Sequence, residues 1–380
     1  MLIYRLILKS RARRWRKAAG ADVPTVCVGN VTAGGTGKTP FTELTLRLLQ
    51  DSPRWGAASL AMLSRGYKRR SRGFQQVMRG SSAAFAGDEP LQIKKKFPAV
   101  TVAVDKNRIE GCDFLAHPEK LAVGSFKAGK AIGMKRASVR SARGCKNKDI
   151  PAAEIVVMDD ALQYKRLHAS FNIVLVDYNR PVFQDSLLPF GRLRDLPSRL
   201  WDADIIVVTK CPRNMDGWEK TTFASKLKIK DFNHTECSGT GPDGKSVTLL
   251  FSYTSYLPLE PVFPETDPRY SYSKSVVLFT GIADDSPVKA RLSDDYKIVH
   301  SISFPDHHRF TGGDISMLSA AVRRFPISTL VTTEKDAQRL LDCPSVPAEV
   351  RERVFMLPVE TAFESERELE IYKAALDALA

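Results

Sequence analysis

Residues Thr25-Val26-Cys27-Val28-Gly29-Asn30-Val31-Thr32-Ala33-Gly34-Gly35-Thr36-Gly37-Lys38-Thr39-Pro40 run from a β-type apolar stretch into a glycine-rich turn. Thr25 to Val28 reads as a buried strand, and Phe41, Leu44 and Leu48, with Glu43 and Arg47 between them, read as the helix that follows. Strand, glycine-rich turn and helix in this order make a phosphate cradle. Gly34, Gly35 and Gly37 let successive N–H groups face an anion, Lys38 sets a charge where β and γ phosphates lie, and Thr39 offers a hydroxyl to magnesium. The strict spacing asks for glycine where Thr32 stands. The flanking strand and helix still favour a nucleotide loop, made of Thr32, Ala33, Gly34, Gly35, Thr36, Gly37, Lys38 and Thr39, over an ordinary βα turn.

Composition sets the frame around this loop. The chain has 380 residues, enough for two domains, and 43% of them are hydrophobic, enough for packed cores. Its six cysteines lie far apart with no C-x-x-C pair, which indicates neither a disulfide scaffold nor a zinc site. A formal charge of +14 favours anionic partners: nucleic acid, an anionic membrane face or a phosphorylated substrate.

The first 20 residues are basic and amphipathic. Leu2, Ile3, Leu6 and Ile7 share one helical face while Arg11, Arg13, Arg14, Arg16 and Lys17 gather elsewhere. The apolar run is far too short to span a bilayer. Such a helix either lies on a membrane surface or docks on its own domain. Residues 120–148 carry nine lysines and arginines and no acid. They read as a basic surface insertion without a sustained apolar period, and their near lack of aromatic residues weakens a stacking-based nucleic-acid reading.

Between and beyond these segments the chain alternates strands and helices. Strands are expected at 59–63, 74–78, 99–104, 155–158, 173–176 and 205–208. The rhythm predicts an α/β fold, a P-loop, doubly wound, mostly parallel sheet over residues 21–245. A β-rich, proline-punctuated hinge follows at 246–275, and a smaller α/β domain at 276–380, its C-terminal segment returning toward the hinge.

Ile155-Val156-Val157-Met158-Asp159-Asp160 delivers two carboxylates at the end of a strand, the edge where open α/β sheets bind ligands. Asp159 is therefore the expected magnesium partner of Thr39, with Asp160 beside it. Gly87-Asp88-Glu89-Pro90 opens a helix, where acids also complement the helix dipole. Leu187 to Leu200 holds Arg192, Arg194 and Arg199 between prolines and a glycine, a loop suited to an anionic ligand. His307-His308 lacks the spacing of a zinc site. Thr333-Glu334-Lys335-Asp336 offers only a misspaced imitation of a guanine-reading Lys-x-Asp.

Taken together, these motifs resemble the tetraacyldisaccharide 4'-kinase family, the lipid A 4'-kinases. The resemblance runs in order through Val28-Gly29-Asn30-Val31-Thr32, Lys38-Thr39-Pro40, Ser64-Arg65-Gly66-Tyr67, Gly87-Asp88-Glu89-Pro90, Asp159-Asp160, Leu188-Pro189, Gly191-Arg192-Leu193-Arg194, Phe304-Pro305-Asp306-His307 and Thr333-Glu334-Lys335-Asp336-Ala337. The family also carries threonine at the position of Thr32. The resemblance implies transfer of the γ-phosphoryl group of ATP, with Mg2+, to the 4'-hydroxyl of a lipid-linked glucosamine disaccharide 1-phosphate, at the cytoplasmic face of the bacterial inner membrane. It implies that Asp88 takes the hydroxyl proton with His307 paired to it, and that Lys38 completes the catalytic set. Thr39 and Asp159 would hold magnesium, Glu89 and Asp160 would support the metal and acceptor site, and Arg192, Arg194 and Asp195 would face the acceptor. No nucleic acid and no obligate protein partner are expected. The chain departs from the family at Ala161, Tyr164 and Asp195, where glycine, histidine and glutamate are usual. The rival class is a P-loop GTPase or metallochaperone, a switch protein in place of a metabolic kinase.

Overall fold

The computed structural model describes residues 20–123, 134–306 and 308–379. The expected basic N-terminal helix, the centre of the basic insertion and His307 lie outside the described residues.

In chain order the principal elements begin with β1 (Thr25–Asn30), α1 (Lys38–Gln50), β2 (Leu60–Ser64), β3 (Gln75–Gln76), α2 (Asp88–Lys96) and β4 (Thr101–Val104). They continue with α3 (Arg108–Ala116), α4 (Arg136–Gly144), β5 (Ile155–Asp159), β6 (Phe171–Asp177), β7 (Ile205–Thr209) and α5 (Gly217–Lys226). β8 (Lys230–Asn233), β9 (Ser238–Thr240), β10 (Ser246–Tyr256) and β11 (Glu260–Pro261) lead to β12 (Ser275–Thr280), α6 (Ser286–Asp295), β13 (Lys297–Ser303) and α7 (Gly312–Arg324). The chain closes with β14 (Thr329–Thr333), α8 (Glu334–Leu341), β15 (Val354–Leu357), β16 (Val359–Phe363) and α9 (Glu366–Asp377).

Two compact units result: residues 1–79, 93–254 and 361–380, and residues 80–92 and 255–360. In the first, the strands lie in the order β3-β4-β2-β5-β1-β6-β7-β10-β9-β8, and β16 pairs with β10. β1 is parallel to β5 on one side and to β6 on the other. All six of its residues are buried, as a parallel strand covered on both faces requires. The 3.6-residue pattern after Lys38 puts Phe41, Leu44, Leu48 and Leu49 of α1 into the core. The second unit has its own sheet, ordered β11-β15-β14-β12-β13. Val277, Phe279, Leu318, Leu330 and Val354 form the centre of its core.

The division predicted from the sequence differs from this in two places. Residues 80–92, assigned by sequence to the nucleotide domain, belong with the second unit, because Asp342 accepts from the Ala83 N–H at 2.6 Å and Arg339 and Lys335 hold Asp88 and Glu89. Residues 361–380, assigned to the smaller domain, belong with the first. Tyr372 is buried against Phe41, with ring centroids 5.5 Å apart, and its hydroxyl meets Thr45 Oγ1 at 2.7 Å. The Trp55 indole donates to Leu376 O at 3.0 Å, and buried Glu368 accepts from Lys220 at 3.2 Å and from the Phe251 N–H at 3.0 Å. The C-terminal helix is thus a brace on the back of α1.

Two local expectations are also corrected. The strand expected at 74–78 shrinks to the two-residue β3, antiparallel to β4. The basic insertion contains α4, anchored where the Ser141 hydroxyl accepts from the Phe74 N–H at 2.7 Å. Only Ser141 and Ala142 of that helix are buried, too few for its period to stand out among basic residues.

The brace is open to a direct stability measurement. Tyr372→Ala is expected to cost about 3–5 kcal/mol in denaturant unfolding, the scale for truncating a fully buried aromatic. Tyr372→Phe, which loses only the hydroxyl contact, is expected to cost about 1 kcal/mol. Equal costs for the two would remove ring packing as the cause.

Candidate active site

The turn after β1 owes its shape to two glycines in the left-handed region. Gly34 has φ 109° and Gly37 has φ 78°, and Gly37 caps α1 without any side-chain hydrogen bond to the helix's first N–H groups. Those groups and the dipole of α1 are left to attract an anion. Lys38 and Thr39 begin the helix itself, and Thr39 is buried.

The loop is pinned from three sides within the first unit. On its leading edge, Arg192 O accepts from the Ala33 N–H at 2.7 Å, and Thr32 bridges Leu193. Across its mouth, Asn30 Nδ2 donates to Thr36 Oγ1 at 2.6 Å. On its outer edge, Thr209 Oγ1 donates to Thr36 O at 2.9 Å, and Lys210 Nζ donates to Gly35 O.

The carboxylate pair sits at the C-terminal end of β5, where Asp159 is in register with Val28 of β1. Asp159 is buried. Asp160 turns the chain with φ 53°, a left-handed value that sets its side chain on a different course from that of Asp159. Arg194 grips Asp160 as a fork: Nη1 donates to Oδ2 at 2.9 Å, and Nη2 donates to Oδ1 and to Asn30 Oδ1. Lys38 Nζ stands 3.9 Å from the same Asp160 carboxylate. Burial alone would raise the Asp160 pKa, but Lys38, Arg194 and Arg108 outweigh it and hold the carboxyl below its usual range. Arg108 is itself buried, and desolvation lowers its pKa against the pull of Asp159 and Asp160.

In the second unit, Asp88 and Glu89 form the first turn of α2. Arg339 Nε donates to Asp88 Oδ2 at 2.9 Å, and Arg339 Nη1 donates to Asp336 Oδ1 at 2.7 Å and to Gly281 O at 3.1 Å. Lys335 Nζ reaches Glu89 Oε1 at 2.7 Å. Asp336 accepts from the Gly281 N–H at 2.8 Å. A Cβ on Gly281 would stand 3.0 Å from Asp336 Oδ1 and 3.3 Å from both His308 Cβ and Pro305 O, so this turn packs closely against Pro305 and His308. His308 stacks on Phe304 and pairs with Asp314 at 2.8 Å.

The structure therefore brings Thr32 through Thr39, Asp159, Asp160, Arg192 and Arg194 to one edge of the first unit's sheet, and Asp88 and Glu89 to the second unit. It gives two expected acceptor residues other settings. Arg194 is engaged with Asp160 and Asn30, and Asp195 is buried with Lys165 at 3.5 Å and Arg199 at 3.8 Å. Sequence reasoning missed Asn30, Lys210, Lys335 and Arg339. Only Lys335 and Arg339 left a signal, two cations four residues apart on one helix. The Lys335-Asp336 pair that imitates a guanine reader is occupied with these internal contacts.

A family model described as tetraacyldisaccharide-1-P 4'-kinase matches residues 1–377. The tetraacyldisaccharide 4'-kinase of Parabacteroides distasonis is 35% identical over 355 residues, 91% of this chain and 83% of the relative. That of Phocaeicola vulgatus is 32% identical over 348 residues, 90% of this chain and 82% of the relative. The fold matches that of a crystal structure titled as the "apo" form of LpxK from Aquifex aeolicus in complex with ATP, with TM-score 0.64 and 24% identity over 99% of this chain and 96% of that one.

The fork on Asp160 yields a prediction. Arg194→Gln is expected to lower stability at neutral pH by about 2 kcal/mol, the scale of hydrogen bonds to a charged group, and Arg194→Lys is expected not to restore it, since a point charge cannot replace the fork. Because the folded-state pKa of Asp160 is depressed, its contribution is present above the ordinary carboxylate pKa and lost as pH falls through the folded value. Denaturant unfolding of wild type and Arg194→Gln should therefore converge toward acid. A gap that stays constant with pH would mean the fork is not what stabilises.

Proposed function

This chain belongs to the tetraacyldisaccharide-1-P 4'-kinase family, and on that premise we propose that it moves the γ-phosphoryl group of ATP to the 4'-hydroxyl of a tetraacyl glucosamine disaccharide 1-phosphate, a step of lipid A biosynthesis. The observation that carries this reading is the convergence of Lys38, Thr39, Asp159 and Asp160 at one sheet edge, beside a loop already pinned in shape for phosphates.

Phosphoryl transfer through a loose transition state asks the protein mainly for alignment and charge neutralisation. The N–H groups at the start of α1 and the Lys38 ammonium receive the β and γ phosphates. Asp88 accepts the proton of the 4'-hydroxyl as its oxygen bonds to the γ phosphorus and the bond to the β–γ bridging oxygen breaks, releasing ADP. His307 pairs with Asp88, while Glu89 and Asp160 support the acceptor and metal side. Arg192, whose side chain is exposed, offers positive charge to the acceptor. The donor set of Thr39 and Asp159, a hydroxyl and a buried carboxylate at one edge, suits a hard cation. Bound there, Mg2+ would neutralise charge on the β and γ oxygens.

The acceptor is a lipid, so the enzyme works at a membrane surface. Among the described residues no helix is long and apolar enough to cross one. The basic amphipathic residues 1–17 supply a peripheral anchor on the anionic cytoplasmic face of the inner membrane.

A transfer assay with labelled ATP and a purified disaccharide 1-phosphate tests the activity. In it, Asp88→Ala is expected to lose roughly 10²–10⁴-fold in transfer rate, the range for a general base, with ATP affinity kept; a wild-type rate would end the base assignment. Deleting residues 1–17 is expected to reduce co-sedimentation with anionic vesicles while ATP binding persists. Unchanged co-sedimentation would rule out the anchor.

A further inference from the structure

Lys210 follows β7 directly, and the phosphate loop alone does not account for its setting. Its φ is 59°, a left-handed value that a lysine adopts at a cost and that clusters at ligand sites. β7 is the second strand out from β1 on the side away from β5. Thr209 is in register with Asp177 of β6, and its hydroxyl donates to Thr36 O. From the next residue, the Lys210 ammonium reaches Gly35 O and pairs with Asp177 Oδ2 at 2.6 Å. The Lys210 side chain is 35% exposed, on the outer rim of the loop.

The polarity of the nucleotide follows from what lies on each flank. Asp159 and Asp160 stand on the β5 side of β1, and Lys38 approaches Asp160. A triphosphate bound with its terminal group toward that side trails its nucleoside toward β6 and β7. There the ammonium of Lys210 is already satisfied by a carbonyl and a carboxylate, so what remains to offer a ligand is apolar stem. We propose that Lys210 is a nucleoside-binding residue, its stem forming a wall against the base and ribose of ATP while its ammonium holds Gly35 in place.

This inference rests on the kinase reading of the phosphate loop, and calorimetric titration of the full chain separates the two. ATP and inorganic tripolyphosphate, which has no nucleoside, are each titrated into wild type, Lys210→Ala, Lys210→Met and Lys38→Ala, with thermal melting to establish that each variant is folded. Lys210→Ala is expected to weaken ATP about tenfold more than it weakens tripolyphosphate, and Lys210→Met, which keeps a stem without the charge, to remove most of that difference. Equal losses for the two ligands would assign Lys210 to the loop alone and overturn the proposal, as would an ATP affinity unchanged in Lys210→Ala. Lys38→Ala is expected to weaken both ligands. If it binds both as wild type does, the cradle reading itself fails, whatever Lys210 does.

Discussion

A phosphate loop must hold several N–H groups turned toward an anion instead of toward one another, and on this constraint the first unit depends. Nothing inside such a loop fixes its shape when no phosphate is bound, so the surroundings must do it. Here the neighbours are the strands beside β1. The chain after β6 returns to pair with the leading edge through Arg192 and Leu193, and the end of β7 holds the outer edge through Thr209 and Lys210. Asn30, the last residue of β1, ties both to Arg194 and thence to Asp160 after β5. Residues at or just after the ends of four neighbouring parallel strands, Asp160 after β5, Asn30 of β1, Asp177 of β6 through Lys210, and Thr209 of β7, thus steady one turn.

The parts of this arrangement that follow from near neighbours in sequence were legible beforehand. β1 and α1 announce themselves because burial on both faces demands an unbroken apolar strand, and because a helix after a glycine turn shows its own period. The Asp159-Asp160 pair reads as a site because an apolar strand places its last side chains at the ligand edge. What could not be read is who holds whom. Arg194 appears in sequence only as one basic residue among three, and its place between Asp160 and Asn30 depends on contacts 34 and 164 residues away. The membership of residues 80–92 escaped for the same reason, since its cause lies in the distant residues 335–342.

In the second unit, a single turn settles the orientation of two carboxylates. Thr333 caps α8, its hydroxyl accepting from the Asp336 N–H at 3.2 Å and lying 2.8 Å from the Asp336 carboxylate. The cap fixes where α8 starts, and the helical period then puts Lys335 and Arg339, four residues apart, on one face. Asp88 and Glu89, adjacent in the first turn of α2, meet that pair one to one. Arg339 cannot follow Asp88 freely, because Asp336 and Gly281 hold its Nη1. A change at Thr333 or Gly281 therefore bears on Asp88 without touching it. The segment Thr333-Glu334-Lys335-Asp336-Ala337, which resembles a nucleotide-reading motif only superficially, acts instead as the mount for the proposed base.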